Sequence, residues 1–143
     1  MKLLSNTMLL LSCILVFSTT LNAQEVKESA AYQQQQNVYN LAMKYADVSA
    51  ARNSLFNMIA LDPGDASLLD SLAYMYFEYQ QFTSCLLVCL DILKVNPDNI
   101  PALEMSAVAY DNLGLKDKAL TSYESIYLRN NSIFTLYRIA ALQ

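Results

Sequence analysis

Apolar residues recur along this chain at the spacing of helices. Between residues 66 and 99 the sequence ASLLDSLAYMYFEYQQFTSCLLVCLDILKVNPDN carries two such patterns. Tyr79, Gln80 and Gln81 form a polar break between them, and Asn96, Pro97, Asp98 and Asn99 close the second. In the first pattern Leu69, Ala73 and Tyr76 fall at i, i+4 and i+7 and share one helical face. In the second, Cys85, Cys89 and Ile92 do the same. Two helices of this length cannot cover both apolar stripes alone, so the pattern calls for neighbours of the same shape.

The chain supplies them. Advancing 34 positions takes Pro63 to Pro97, Leu69 to Leu103, Ala73 to Ala107 and Tyr76 to Tyr110. In the second helix of each pair, Ala51 leads to Cys85 and Ala119, Leu55 to Cys89 and Tyr123, and Met58 to Ile92 and Ile126. A fixed period of this size predicts stacked helical hairpins. The residues also resemble the tetratricopeptide repeat (TPR) family. Its pattern sets a large, a small and an aromatic residue on the first helix, a small residue and an aromatic on the second, then proline. One copy here reads Leu69, Ala73, Tyr76, Cys85, Cys89 and Pro97. The next reads Leu103, Ala107, Tyr110, Gly114, Ala119 and Tyr123. Three positions depart: there is no tryptophan, Cys89 replaces the second-helix aromatic, and Asn131 stands where a third proline would be. The resemblance implies an all-α, right-handed superhelical solenoid of antiparallel helix pairs, about three repeats and a final helix.

The predicted organisation is a leader over 1–23, a flexible segment over 24–31, and the repeat domain over 32–143. Its repeats fall at about 32–65, 66–99 and 100–133, with a partial one at 134–143. The leader has one lysine, an apolar run over 8–17 and a small residue, Ala23, before Gln24, the layout of a secretory signal peptide. Its apolar run is about half of the ~20 residues needed to span a bilayer. A retained N-terminal anchor is a second reading. Lipoprotein processing at Cys13 is a third, weakened by the apolar residues 14–17 that would follow it.

Within the domain, a first helix over 31–45 carries Val38, Leu41, Ala42 and Tyr45 at helical spacing. It fits the repeat least, with Gln35 at the large position and Tyr39 at the small one, as a capping repeat should. Asp47, Asp65 and Asn99 are placed to cap helix N-termini, and Pro101 falls in a first turn, where its missing N–H costs little. A helix over 116–128 follows Gly114, and residues 133–143 begin another, with Tyr137 and Ala141 at the large and small positions. Ile139, Ala140, Ala141 and Leu142 are apolar for an outer cap, which leaves a partner surface or a longer array as the two readings.

Composition narrows the chemistry. No histidine is present, which removes the commonest metal ligand and general base. Net charge is −4, and without Lys2 it is −5, the wrong sign for gripping nucleic acid. Cys85 and Cys89 lie one helical turn apart, about 5–6 Å between Cβ atoms, too far for a disulfide and without further ligands for a metal. Serines such as Ser67, Ser71 and Ser106 have no activating base, and no phosphate-binding glycine loop occurs. The sequence therefore predicts no enzyme, no cofactor and no membrane span after leader removal.

In TPR arrays the first helices line a concave groove. The resemblance assigns to it Asp70, Tyr74, Phe77 and Glu78, then Glu104, Val108, Asp111 and Asn112, and in the first repeat Gln36, Asn40, Met43 and Lys44. Helical spacing independently puts Asp70, Tyr74 and Phe77 on one side, offset from the Leu69 face. Tyr74 and Phe77 suit interface anchors; packing against the adjacent first helix is the competing reading. The Lys and Arg set with which some family members clamp a C-terminal carboxylate is missing, and a neutral or basic segment with apolar anchors is the expected ligand. The expectation is an exported scaffold, periplasmic or envelope-associated in a Gram-negative bacterium, holding a protein or peptide ligand. The alternative is a structural subunit that forms an oligomer through its apolar C-terminal helix.

Overall fold

The computed structural model describes residues 29–143. The predicted leader and residues 24–28 lie outside them. Seven helices and no strands make up the described residues: α1 (Ala30–Lys44), α2 (Val48–Leu61), α3 (Ala66–Glu78), α4 (Phe82–Val95), α5 (Ile100–Asn112), α6 (Lys116–Asn130) and α7 (Ile133–Leu142). The chain forms two compact units divided at Asp65 and Ala66.

The first unit contains the hairpin α1–α2. Its helix starts are set by side-chain caps: Ser29 Oγ accepts from the Tyr32 N–H at 3.2 Å, and Asp47 Oδ1 from the Ala50 N–H at 3.0 Å. The Ser29 cap begins α1 at Ala30, one residue ahead of the predicted start. Tyr32 and Ala42 are buried on α1, and Ala51, Ser54, Leu55 and Met58 on α2. Val38, Leu41 and Tyr45, which share the helical spacing, are exposed instead. Gln35 accepts a hydrogen bond from Asn57 Nδ2 at 3.1 Å, so the polar residue at the "large" position ties the hairpin from outside.

The second unit stacks α3 through α7, each helix lying against the next, with α3 also beside α5. Ala73 and Tyr76 are buried and Leu69 half-buried, and a parallel band of Leu68, Leu72 and Met75 is buried with them. Cys85, Cys89 and Ile92 form the buried stripe of α4. The core between α5, α6 and α7 is Ala107, Ala119, Tyr123, Ile126 and Ile139, with Leu103 and Tyr110 packed against it. The 34-residue equivalences of the second helices, Ala51 with Cys85 and Ala119, Leu55 with Cys89 and Tyr123, and Met58 with Ile92 and Ile126, are thus equivalences of buried positions. Asn99 Oδ1 caps α5 through the Ala102 N–H at 3.0 Å, and Pro101 sits in the first turn. Every fully buried side-chain nitrogen or oxygen among the described residues is hydrogen-bonded.

The turn inside each hairpin is the same structure three times. Asp47, Gln81 and Leu115 N–H groups donate to Ala42, Tyr76 and Tyr110 carbonyls at 2.8–2.9 Å, closing left-handed helix ends. The residue in the left-handed region is Ala46 (φ 57°), Gln80 (φ 55°) or Gly114 (φ 73°), each 34 positions from the last. Only glycine adopts this conformation freely, and an L side chain costs about 1–2 kcal/mol there. Gln80→Gly is therefore expected to stabilise the second unit by about 0.5–1 kcal/mol after its added unfolded-chain entropy. Gly114→Ala should cost about 1 kcal/mol, although no atom lies within 4 Å of the new Cβ. Urea melts of the two variants check both signs.

The ends of the hairpins differ for a related reason. Asp62 and Asn96 precede Pro63 and Pro97, and their backbones (φ −132°, ψ 81° and φ −129°, ψ 89°) have left the helical region. The equivalent residue in the third hairpin, Asn130, is followed by Asn131 instead of proline. There α6 runs to Asn130, past the predicted end at 128, and stops at Asn131 in the left-handed region, φ 49°.

Candidate functional site

α3 and α5 lie side by side and present Tyr74, Phe77, Glu104 and Val108 toward a common cavity of about 400 Å³. Pro101 and Met105 of α5 complete this wall. The opposite wall comes from Tyr123 and Ile126 of α6 and from Phe134 and Thr135 of α7. Tyr74, Glu104 and Phe134 are exposed and form the rim, while Tyr123, Ile126 and Thr135 are buried and form the floor. Phe77 is half-buried and held edge-on by Phe82, ring centroids 6.5 Å apart at 78°. Its packing partner is the following second helix, so Tyr74, 58% exposed, remains the free aromatic on α3.

Glu78 stands one turn beyond Tyr74. Its carboxylate raises the Tyr74 pKa above the ordinary tyrosine value, first by charge repulsion against the phenolate and second by accepting the phenol's hydrogen bond. Glu104 is the one ionised side chain lining the cavity.

The other residues assigned to the groove do different work. Asp70 Oδ1 accepts from Asn99 Nδ2 at 3.3 Å and so braces the residue that caps α5. Asn112 Nδ2 donates to the Val108 carbonyl of its own helix at 2.9 Å. Asp111 is paired with Arg138 of α7. Arg138 also lies over the Tyr123 ring, 5.6 Å from its centroid, and Nε donates to the Tyr123 hydroxyl at 3.3 Å. That hydrogen bond is the main reason the Arg138 pKa rises, and burial is the main reason the Tyr123 pKa rises. The cluster fastens α7 against α5 and α6 and sets the position of the cavity's far wall.

Periodicity missed this wall because it groups residues by face and says nothing of which helix stands opposite. Two signals were present. Thr135 is Pro101 advanced by one repeat, and Arg138 is a sign reversal at the position of Asp70 and Glu104.

Cys85 and Cys89 are fully buried with their sulfurs 3.8 Å apart, unbonded. The Cys89 pKa is raised, chiefly by its hydrogen bond with Cys85 and next by burial. The same hydrogen bond lowers the Cys85 pKa, but both thiols are shut away from solvent and pack in the buried stripe of α4. Among the described residues no group of three or more Cys, Asp or Glu is placed to hold a metal ion, and no helix is long and apolar enough to cross a membrane.

No protein-family model matches this sequence, and no curated protein matches it. Solved structures do. A tetratricopeptide repeat protein from Parabacteroides merdae superposes with a TM-score of 0.70 at 23% identity, over 80% of this chain and 46% of its own. This chain thus spans under half of that relative's length. The TPR domain of Arabidopsis OM64 superposes at 0.65 with 17% identity, over 79% of this chain and 94% of the domain. The second TPR domain of human RPAP3, solved with the HSP70 peptide SGPTIEEVD, superposes at 0.62 with 17% identity, over 76% and 91%. The chain has the all-α, TPR-like helical-repeat fold.

Proposed function

We propose that this chain is a non-enzymatic interaction scaffold that holds a protein or peptide segment in the groove along α3 and α5, and that it is exported to the periplasm or cell envelope of a Gram-negative bacterium. The observation that carries the reading is the cavity. First helices of two successive repeats open it toward solvent, and an exposed aromatic, Tyr74, stands at its rim with no packing role to account for it. Support from a neighbour comes from RPAP3, whose TPR domain was solved with a bound peptide. Export rests on the leader alone.

The test is site-specific photo-crosslinking in the parent cell. A crosslinker at position 74 is expected to trap a partner, and one at Leu87, 62% exposed on α4, is not. Against the trapped partner, Tyr74→Ala with Glu78→Ala should weaken binding by about 10- to 100-fold. Equal trapping from both positions, or unchanged affinity, would sink the groove reading. Envelope fractionation, with a mature N-terminus at Gln24, tests the export.

A second reading has its own observation. Ile133, Phe134 and Tyr137 on α7 are 84%, 65% and 70% exposed, an apolar face suited to self-association. Size-exclusion chromatography across a concentration series decides it: a mass that stays at the monomer removes the oligomeric subunit.

A further inference from the structure

We infer that the cavity between α3, α5, α6 and α7 receives the side chain of a lysine or arginine carried by the segment docked in the groove. This rests on the groove reading and adds what the groove selects. Four of the cavity's lining residues are aromatic; Arg138 already lies over Tyr123, which leaves Tyr74, Phe77 and Phe134 without a cation, and the ionised group in the lining is Glu104. Ring faces carry negative electrostatic potential, so a cavity walled by rings with a carboxylate at the mouth attracts a cation. Glu78, one turn beyond Tyr74, adds a second negative charge beside that ring.

The charges on the flanking helices agree. α3 and α5 carry Asp70, Glu78, Glu104 and Asp111 and no lysine or arginine. Of the bases packed against them, Arg138 on α7 has its charge matched by Asp111, and Lys118 on α6 lies over the ring of Tyr110. Asp70 has a neutral partner, Asn99. Glu104 lines the cavity, with Glu78 beside Tyr74 at its rim, and neither belongs to an ion pair among the described residues. Lysine and arginine suit the shape as well as the sign. Their apolar stems cover Ile126 of the floor and Val108 of the α5 wall while the charged head stays at the rim. A purely apolar anchor would fill the floor and leave Glu104 without an opposite charge. An acidic anchor would meet two like charges.

Three acetylated, amidated peptides, Ala-Leu-Ala-Ser-X-Ser-Ala-Leu-Ala with X as arginine, norleucine or glutamate, test the inference on the full chain. The readout is the methyl resonance of Met105, which lines the cavity. The arginine peptide is expected to shift this signal and to bind about tenfold tighter than the norleucine peptide, with the glutamate peptide weakest. Added salt should erode the preference. Glu104→Gln should remove the tenfold advantage and leave norleucine affinity and the melting curve unchanged, because Glu104 is exposed. Tyr74→Leu, which keeps the apolar bulk, should lower arginine binding selectively. If norleucine and arginine peptides shift Met105 with equal affinity and Glu104→Gln changes neither, the cation inference falls while the groove reading stands. If no peptide moves Met105, the inference falls too, and the groove reading is judged separately by crosslinking at position 74.

Discussion

Tyr123→Ala is expected to destabilise the second unit by about 3–5 kcal/mol, the range for truncating a buried aromatic. The ring is 2% exposed at the centre of the cluster formed with Ala107, Ala119, Ile126 and Ile139. Truncation removes its packing, leaves a void beside four small or branched residues, and takes the platform from under Arg138. Tyr123→Phe separates these effects. It keeps the ring and deletes the hydroxyl that receives Arg138 Nε, with an expected cost of about 1–2 kcal/mol. Hydrogen exchange should place both losses in α5, α6 and α7, and a loss spread evenly over α1 and α2 would contradict the division into units. The native phenol's raised pKa adds a pH signature. The folded state holds the proton more tightly than the unfolded state, so this contribution is complete below the unfolded value of about 10 and is lost as pH rises above it. Tyr123→Phe should flatten that alkaline decline.

The second large effect comes from enlarging a residue. Ala107 has no exposed surface, and it meets Ala119, equally buried, in the core that α5 and α6 share. Ala107→Leu forces three extra carbons into that contact and should cost about 1–3 kcal/mol or prevent close packing of the pair. Ala73, 34 positions earlier, is also fully buried, and Ala73→Leu should behave alike. Ala141, 34 positions later, is exposed on α7, and Ala141→Leu should change stability by no more than about 0.5 kcal/mol. One repeat position thus has two opposite outcomes, readable in three urea titrations. A large cost at Ala141 would show that its face is covered.

Individual residues show how far the sequence was legible. Asp47 and Asn99 were recognisable as caps because capping needs only a short polar side chain before an apolar period. Ser29 was missed because only Ala30, Ala31 and Tyr32 follow it before the polar run Gln33 to Gln36, so no apolar period marks the helix start. Gly114 announced one of three left-handed turns. Ala46 and Gln80 hid the others, because tertiary packing of the hairpin enforces the turn against local preference. Of the predicted groove, Tyr74, Phe77, Glu104 and Val108 line the cavity, whereas Asp70, Asp111 and Asn112 are engaged with Asn99, Arg138 and the Val108 carbonyl. Spacing put all of them on related faces, but their partners come from other helices.

By itself the amino-acid order determined the helices, their period and the small-against-large logic of the core, since these follow from intervals of three and four residues repeated every 34. The tertiary structure alone decided where the cavity lies, which acidic groups it leaves unmatched and that α7 closes it. Those depend on contacts between residues 27 to 60 positions apart, from Asp111 with Arg138 to Tyr74 facing the same cavity as Phe134. Helical periodicity carries no information at that range; only the packing of one hairpin on the next does.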